Sequence, residues 1–231
     1  MERIDYQDGD QALTGWLARP ASTPRGAVLV LPTIMNLNPP MERRAAMLAD
    51  AGFLALIADF YGQPVRDFAH SRELSGELRG SVDGYRQRLH AGLAALTRLP
   101  DAQGLRSAAV GYCMGGQAAL ELARDGADIA LAASFHGLLD TGRPTEPGAI
   151  KARILVCHGD ADPLAPRCQV MDFWQEMDAA GAGWHFHSYA GVKHGFTDPG
   201  SDARGIPAIG YDASADRQSW AALMSLMDEL F

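Results

Sequence analysis

The sequence has few cysteines, no long apolar run and no concentrated basic segment. Its three cysteines, Cys113, Cys157 and Cys168, form no CxxC pair, which argues against a disulfide framework and a structural zinc site. No apolar run approaches the roughly 18–20 residues that a membrane span needs. The N-terminal residues 1–5 lack the basic and then apolar pattern of a signal peptide. We therefore expect a cytoplasmic protein without a membrane partner.

The charge balance is acidic. The chain has 28 Asp and Glu against 20 Lys and Arg, a net charge of −8, and its basic residues are scattered. Nucleic-acid binding needs a concentrated basic face, so no nucleic-acid partner is expected. A length of 231 residues with 47% hydrophobic content, without repeats or linkers, is typical of one folded domain. We predict a single domain over residues 1–231, either a monomer or a homodimer.

The apolar pattern predicts an α/β fold. Ile4–Tyr6 and Ala12–Ala18 flank Asp8-Gly9-Asp10, which is typical of an antiparallel hairpin with a tight turn. Ala27–Leu31 is a continuous apolar run, as in a strand covered on both faces. Further strands are predicted at Phe53–Ala58, Ala108–Val110, Leu131–Phe135, Ile154–Cys157 and His185–Tyr189, and helices at Glu42–Ala51, Gly84–Leu99, Gly115–Arg124, Arg167–Ala180 and in the last residues up to Leu230. This alternation predicts a mostly parallel central sheet with helices on both faces and an N-terminal antiparallel hairpin.

Ligands bind at the carboxyl ends of the strands in such sheets, so the residues after each strand carry the functional prediction. The strand at 108–110 leads into Gly111-Tyr112-Cys113-Met114-Gly115-Gly116 and then a helix. This is the nucleophile-elbow pattern G-x-Nu-x-G with cysteine as the nucleophile. Glycines flank it because a strand that turns sharply into a helix brings two backbone segments together. Alone, the motif also fits a glycine-rich turn around a small buried cysteine.

Two later post-strand segments favour the catalytic interpretation. His158–Pro166 contains Asp160 and Asp162, and either could orient an imidazole or only shape a turn. His194 follows the strand at 185–189. The order Cys113, Asp162, His194 is the chain order of the α/β-hydrolase triad, with Asp160 as the alternative acid.

These motifs resemble the dienelactone hydrolase family. The likeness rests on residues 111–116, on His158–Pro166 and on Lys193-His194-Gly195-Phe196. It extends over nearly the whole chain through Val28–Asn38, Ala58–Gly62 and the last helix with Ser219-Trp220. It implies an α/β-hydrolase fold, no cofactor, and hydrolysis of a small-molecule ester or lactone through a thioester acyl-enzyme.

The resemblance also implies site residues. It carries over Cys113 as nucleophile, Asp162 as acid and His194 as base, with the backbone N–H groups of Ile34 and Met114 as the oxyanion hole. The predicted substrate-binding residues are Thr33, Tyr61 and Phe196.

The sequence departs from the family pattern at two places. In dienelactone hydrolase a glutamate helps to ionise the thiol, and Thr33 stands at that position here. Arginines hold the substrate carboxylate in that enzyme, but residues 195–198 read Gly-Phe-Thr-Asp, and only Arg72 lies in the region of the other. The fold and triad are still expected, whereas an anionic substrate is not.

His136 and His158 also follow predicted strands. A metal site with Asp160 would need more ligands at compatible spacing, so no metal is predicted and both imidazoles are expected to satisfy backbone groups behind the site. Cys157 is expected to be an inert core thiol, and Cys168 to lack a partner base.

Two classes of function fit the sequence. The first is an ester, lactone or thioester hydrolase. The second is a hydrolase-fold binding or sensory protein that acylates and then turns over slowly or not at all, because Thr33 replaces the activating glutamate. Peptidase activity is a weaker third option, because amide leaving groups need better protonation.

Overall fold

The computed structural model describes residues 1–231. Its strands are β1 (Glu2–Asp8), β2 (Gln11–Ala18), β3 (Gly26–Leu31), β4 (Phe53–Ile57), β5 (Ser107–Tyr112), β6 (Leu131–Phe135), β7 (Arg153–Gly159) and β8 (Trp184–Tyr189). Its α-helices are α1 (Pro39–Asp50), α2 (Phe68–Arg79), α3 (Val82–Thr97), α4 (Met114–Arg124), α5 (Arg167–Ala180) and α6 (Ala213–Leu230). Short 3-10 turns lie at Pro100–Ala102 and Asp202–Arg204. None of the helices is long and apolar enough to cross a membrane.

The strands form an eight-stranded sheet in the order β1-β2-β4-β3-β5-β6-β7-β8. This mostly parallel sheet with an antiparallel hairpin at one edge confirms the predicted fold class. The chain divides into two compact units, Met1–Ala109 and Val110–Phe231. The single domain over residues 1–231 stays a prediction.

In the first unit, β1 and β2 form the predicted hairpin. They pair antiparallel from Glu2 opposite Leu17 to Asp8 opposite Gln11, and Gly9 takes a φ of 55° in the turn. The left-handed region explains why glycine stands there. β2 pairs antiparallel with β4, and β4 pairs parallel with β3. Every residue of β3 and β4 is buried, which is why both read as continuous apolar runs.

The helix α2 is absent from the sequence prediction. It begins after Asp67, whose side chain accepts a hydrogen bond from the N–H of His70, and it buries only Ser71, Leu74 and Ser75. Two of these three are serines, so the buried face of the helix does not read as an apolar stripe. The N-cap aspartate is the signal that predicts its start.

In the second unit, β6, β7 and β8 pair in parallel and α4 is buried along its whole length. Burial of α4 includes Arg124, whose guanidinium contacts Glu121 at 3.0 Å and Glu176 at 2.7 Å. A buried charge needs such partners, since an unpaired one costs several kcal/mol, about 3–5 when a partner is removed. The pairing explains how an apolar helix ends in a buried arginine.

Candidate active site

The turn between β5 and α4 has the geometry of a nucleophile elbow. Cys113 lies at φ 57° and ψ −120°, outside the regions that non-glycine residues favour, so its backbone is strained. A Cβ on Gly111 would lie 1.7 Å from the Gly115 carbonyl oxygen. A Cβ on Gly116 would lie 2.6 Å from the Ser134 hydroxyl. The glycines are therefore required by the close approach of strand and helix.

Three predicted residues are joined in one hydrogen-bonded chain. The Nε2 of His194 lies 3.1 Å from Sγ of Cys113, and its Nδ1 lies 2.7 Å from Oδ2 of Asp162. Cys113 is half-buried, while His194 and Asp162 are buried. All three follow strands, after β5, β7 and β8. This arrangement can move a proton from the thiol to the imidazole and can hold the resulting cation against a carboxylate.

Backbone hydrogen bonds fix the positions of Asp162 and His194. The second oxygen of Asp162 accepts a hydrogen bond from the Leu164 N–H at 2.8 Å. The N–H of His194 donates to the Ala208 carbonyl, and the His194 carbonyl accepts from the N–H of Gly210, both at 3.1 Å. Backbone groups that do not belong to the triad hold both the carboxylate and the imidazole in place. Their contact therefore does not depend on substrate.

The electrostatics favour a protonated His194. Burial by itself lowers the pKa of this imidazole, but the negative charge of a Cys113 thiolate and the hydrogen bond to Asp162 outweigh it and raise the pKa to about 10. The interaction is mutual, so the cation stabilises the thiolate as much as the thiolate stabilises the cation. We therefore expect a thiolate–imidazolium pair at neutral pH.

Alkylation of Cys113 by iodoacetamide is expected to stay fast as the pH falls from about 8 to about 6. An ordinary thiol with a pKa of about 8.5 loses about tenfold of its thiolate per pH unit. The pKa of His194, about 10, lies above this range, so its imidazolium persists and stabilises the thiolate through the charge interaction between the two. The wild-type rate should change less than about threefold, and the His194→Gln rate should fall close to a hundredfold. Equal, steep pH profiles would contradict the ion pair.

The neighbouring acid is engaged elsewhere. Asp160 forms an ion pair with Arg167 at 2.6 Å, and the hydrogen bond from this arginine lowers the pKa of the carboxyl. Asp162 is therefore the carboxylate that contacts His194.

The other histidines and cysteines singled out in the sequence differ in their hydrogen-bond partners and burial. The Nδ1 of His136 accepts a hydrogen bond from the backbone N–H of Cys113 at 3.1 Å, as expected. The expectation is wrong for His158, whose two ring nitrogens are buried without hydrogen-bond partners. Burial lowers the pKa of His158, against the pull of the Asp162 and Asp160 charges, and raises that of Cys157 to about 12. Cys157 is thus an unreactive core thiol, whereas Cys168 is exposed.

The loop that holds Thr33 and Ile34 is fixed within the first unit. The Thr33 hydroxyl accepts hydrogen bonds from the Met35 N–H at 3.3 Å and the Asn38 amide at 2.9 Å. Tyr61 is buried and donates its hydroxyl proton to the Ile34 carbonyl at 3.0 Å. The substrate contacts of Thr33 and Tyr61, and the oxyanion role of Ile34, stay predictions.

Phe196 and Asp198 lie in the loop after His194. Phe196 is fully buried, with its ring edge-on to His136 at 5.3 Å and to Tyr189 at 5.6 Å. It packs against the His136 imidazole, and its substrate contact stays a prediction. Asp198 forms an ion pair with Arg204, so that guanidinium has a carboxylate partner within the chain. No group of three or more His, Cys, Asp or Glu side chains is arranged to hold a metal ion.

The sheet topology and the elbow define an α/β-hydrolase fold. Within this class, the model of the dienelactone hydrolase family matches residues 13–231, and the chain belongs to that family of hydrolases.

Three relatives illustrate the range of the likeness. A dienelactone hydrolase-like promiscuous phosphotriesterase, P91 from metagenomic libraries, is 36% identical with a TM-score of 0.93, over all of this chain and 98% of its own. The structure of m3DLH is 34% identical with a TM-score of 0.94, and the match covers 100% of this chain and 98% of that one. A probable 2-oxo-3-(5-oxofuran-2-ylidene)propanoate lactonase from Bradyrhizobium sp. is 29% identical over 217 residues, 88% of this chain and 86% of its own.

Proposed function

We propose that this protein hydrolyses small carboxylic esters or lactones with Cys113 as nucleophile, His194 as general base and acid, and Asp162 as the residue that orients the imidazole. The observation that carries the proposal is the hydrogen-bonded chain from Sγ through the imidazole to a buried carboxylate. Membership of a hydrolase family and the likeness to a probable lactonase support it.

The proposed reaction has two steps. The reaction starts from the thiolate–imidazolium pair, in which the proton of Cys113 already lies on Nε2 of His194, and the thiolate attacks the carbonyl carbon. The tetrahedral intermediate collapses to a thioester when the alkoxide leaves with the proton from His194. His194 then takes a proton from water, the hydroxide attacks the thioester, and the acid leaves as the thiolate reforms.

Oxyanion stabilisation is proposed at the start of α4. Met114 is the first residue of this helix, and the N–H groups of a first turn point towards the N-terminal end, where negative charge is favoured. The resemblance gives the second donor as the Ile34 N–H. Loss of one such donor typically costs about 10²–10³-fold in kcat.

A time course of p-nitrophenol release from p-nitrophenyl acetate tests the proposal. Sustained turnover supports the hydrolase. A single burst, stoichiometric with protein, favours the alternative of covalent capture by a binding or sensory protein. The exposed thiol of Cys168 can also take an acyl group from an activated ester. The time course is therefore repeated with the Cys168→Ala variant, in which only acylation elsewhere can contribute to a burst. Absence of both burst and turnover would refute both functions.

Phosphotriester cleavage is a second candidate, as a side activity of the same site. The full-length likeness to a promiscuous phosphotriesterase favours it. In this reaction the thiolate would form an S–P bond while an aryloxide leaves, and water would then displace the thiolate from phosphorus. Release of p-nitrophenol from paraoxon, lost in Cys113→Ala, tests it.

Neutral lactones are expected to be hydrolysed at least as well as lactones that carry a carboxylate. Residues 195–198 offer no arginine, and Asp198 adds a negative charge that is paired with Arg204. A desolvated bidentate arginine–carboxylate contact discriminates strongly, so its loss should remove selectivity for the anion. The measurement compares kcat/KM for one lactone acid and its primary carboxamide. A preference for the acid of about a hundredfold, about 2.7 kcal/mol, would contradict the expectation. The name of the Bradyrhizobium relative denotes a lactone that carries a carboxylate.

A further inference from the structure

His136 is the second strained non-glycine residue in the unit that contains the site. It follows β6 directly, lies at a φ of 41° and is buried. A non-glycine residue in the left-handed region is held there by its surroundings, and such positions concentrate at functional sites. The contacts of its ring show what this conformation achieves.

Both ring nitrogens of His136 have partners on opposite sides. The backbone N–H of Cys113 donates to two acceptors, Nδ1 of His136 at 3.1 Å and the Phe135 carbonyl at 3.0 Å. Nε2 lies 2.9 Å from the Thr197 hydroxyl. An imidazole that accepts at Nδ1 and is neutral carries its proton on Nε2, so His136 donates to Thr197.

These two bonds connect the nucleophile to the loop of the base. Cys113 is the strained residue of the elbow, and Thr197 comes three residues after His194. The His136 ring also lies edge-on to the His194 ring, with the centroids 5.2 Å apart. One side chain therefore touches the backbone of the thiol, the ring of the base and the loop behind that base.

We propose that His136, as its neutral Nε2–H tautomer, is a positioning residue that sets the distance between the Cys113 thiol and the His194 imidazole; the proposal rests on the function proposed above. His136 is not a proton carrier in the reaction, because its lone pair at Nδ1 is already bound to the Cys113 N–H. Misplacement of a reacting group by about 1 Å can cost about a hundredfold in rate.

Steady-state kinetics of two His136 variants test this role. His136→Phe keeps a ring but loses both hydrogen bonds, and it should lower kcat for p-nitrophenyl acetate by about 10–100-fold with KM changed less than about threefold. His136→Asn places a carboxamide oxygen near the position of Nδ1 and tolerates a positive φ, so it should recover kcat to within about fivefold of wild type. Thr197→Val should lower kcat in the same direction, because it removes the acceptor of the Nε2 proton.

A residue needed only for packing would give a different pattern. Urea unfolding of each variant measures that contribution separately, and a purely structural role predicts lost stability with wild-type kcat in the folded fraction. That result for both His136→Phe and Thr197→Val would overturn the proposal.

A spectroscopic measurement on the wild-type protein decides the tautomer without any variant. In a ¹⁵N-histidine NMR spectrum, His136 should show an unprotonated Nδ1 and a protonated Nε2, and the opposite tautomer would overturn the proposal. The same protein sample is assayed for turnover that iodoacetamide abolishes. Absence of such turnover would overturn the proposed function, whereas the histidine spectrum still reports on His136.

Discussion

Replacing Cys113 by alanine is expected to lower kcat/KM for an activated ester or a lactone by at least about 10³–10⁴-fold. Removal of the nucleophile from a triad leaves only the contributions of binding and oxyanion stabilisation. Alanine keeps a Cβ, so the strain at φ 57° is the same in both proteins and the fold should be unchanged. Initial rates at several substrate concentrations, with thermal unfolding to verify the fold, give the comparison.

The matched control is Cys168→Ala, which removes an exposed thiol at the start of α5. This variant should keep wild-type kcat/KM. Retention of more than about a tenth of the activity by a folded Cys113→Ala protein would remove Cys113 from the mechanism.

Gly111→Ala is expected to have the largest effect on stability, a loss of more than about 4 kcal/mol in the free energy of unfolding. The new Cβ would lie 1.7 Å from the Gly115 carbonyl oxygen and 2.2 Å from its carbon. Both are backbone atoms of α4, a helix buried on all sides, so the clash has no flexible group to displace. Urea unfolding of the variant measures the loss.

Gly76→Ala is the matched control, since it makes the same change with the opposite expected sign. Gly76 is exposed in α2, and nothing lies within 4 Å of the added Cβ. Alanine is the better helix former, so this variant should be more stable by up to about 1 kcal/mol. A Gly111→Ala protein within about 1 kcal/mol of wild type would show that the elbow is not constrained as described.

The sequence predicts the architecture well where burial produces a simple pattern. β3 and β4 are covered on both faces and read as apolar runs, and Leu131–Phe135 and Arg167–Ala180 have the predicted ends. It fails where burial is small or polar. The sequence does not predict α2, because two of the three buried residues of this helix are serines. It ends the predicted strand at Cys157, although β7 runs to Gly159, because the buried His158 is polar and breaks the apolar run.

The site shows the same division. Glycine spacing and chain order place Cys113, Asp162 and His194 in one chain of contacts, since post-strand loops of a parallel sheet meet at one edge. The link from His136 to Thr197 joins residues 61 positions apart through an unusual backbone angle, and no periodicity encodes it. The orphaned ring nitrogens of His158 are likewise a property of packing rather than of sequence pattern.

Covalent catalysis by Cys113 can be tested directly by trapping the acyl-enzyme. Wild-type protein is mixed with p-nitrophenyl acetate, quenched in acid within the first turnovers, digested with trypsin and analysed by mass spectrometry. Cleavage after arginine and lysine places the three cysteines in separate peptides, 107–124, 154–167 and 168–193. Cys168→Ala removes the exposed competitor. Covalent catalysis predicts an acetyl group on the 107–124 peptide that is lost on treatment with hydroxylamine and is absent from Cys113→Ala. Steady turnover with that peptide never acylated would contradict it.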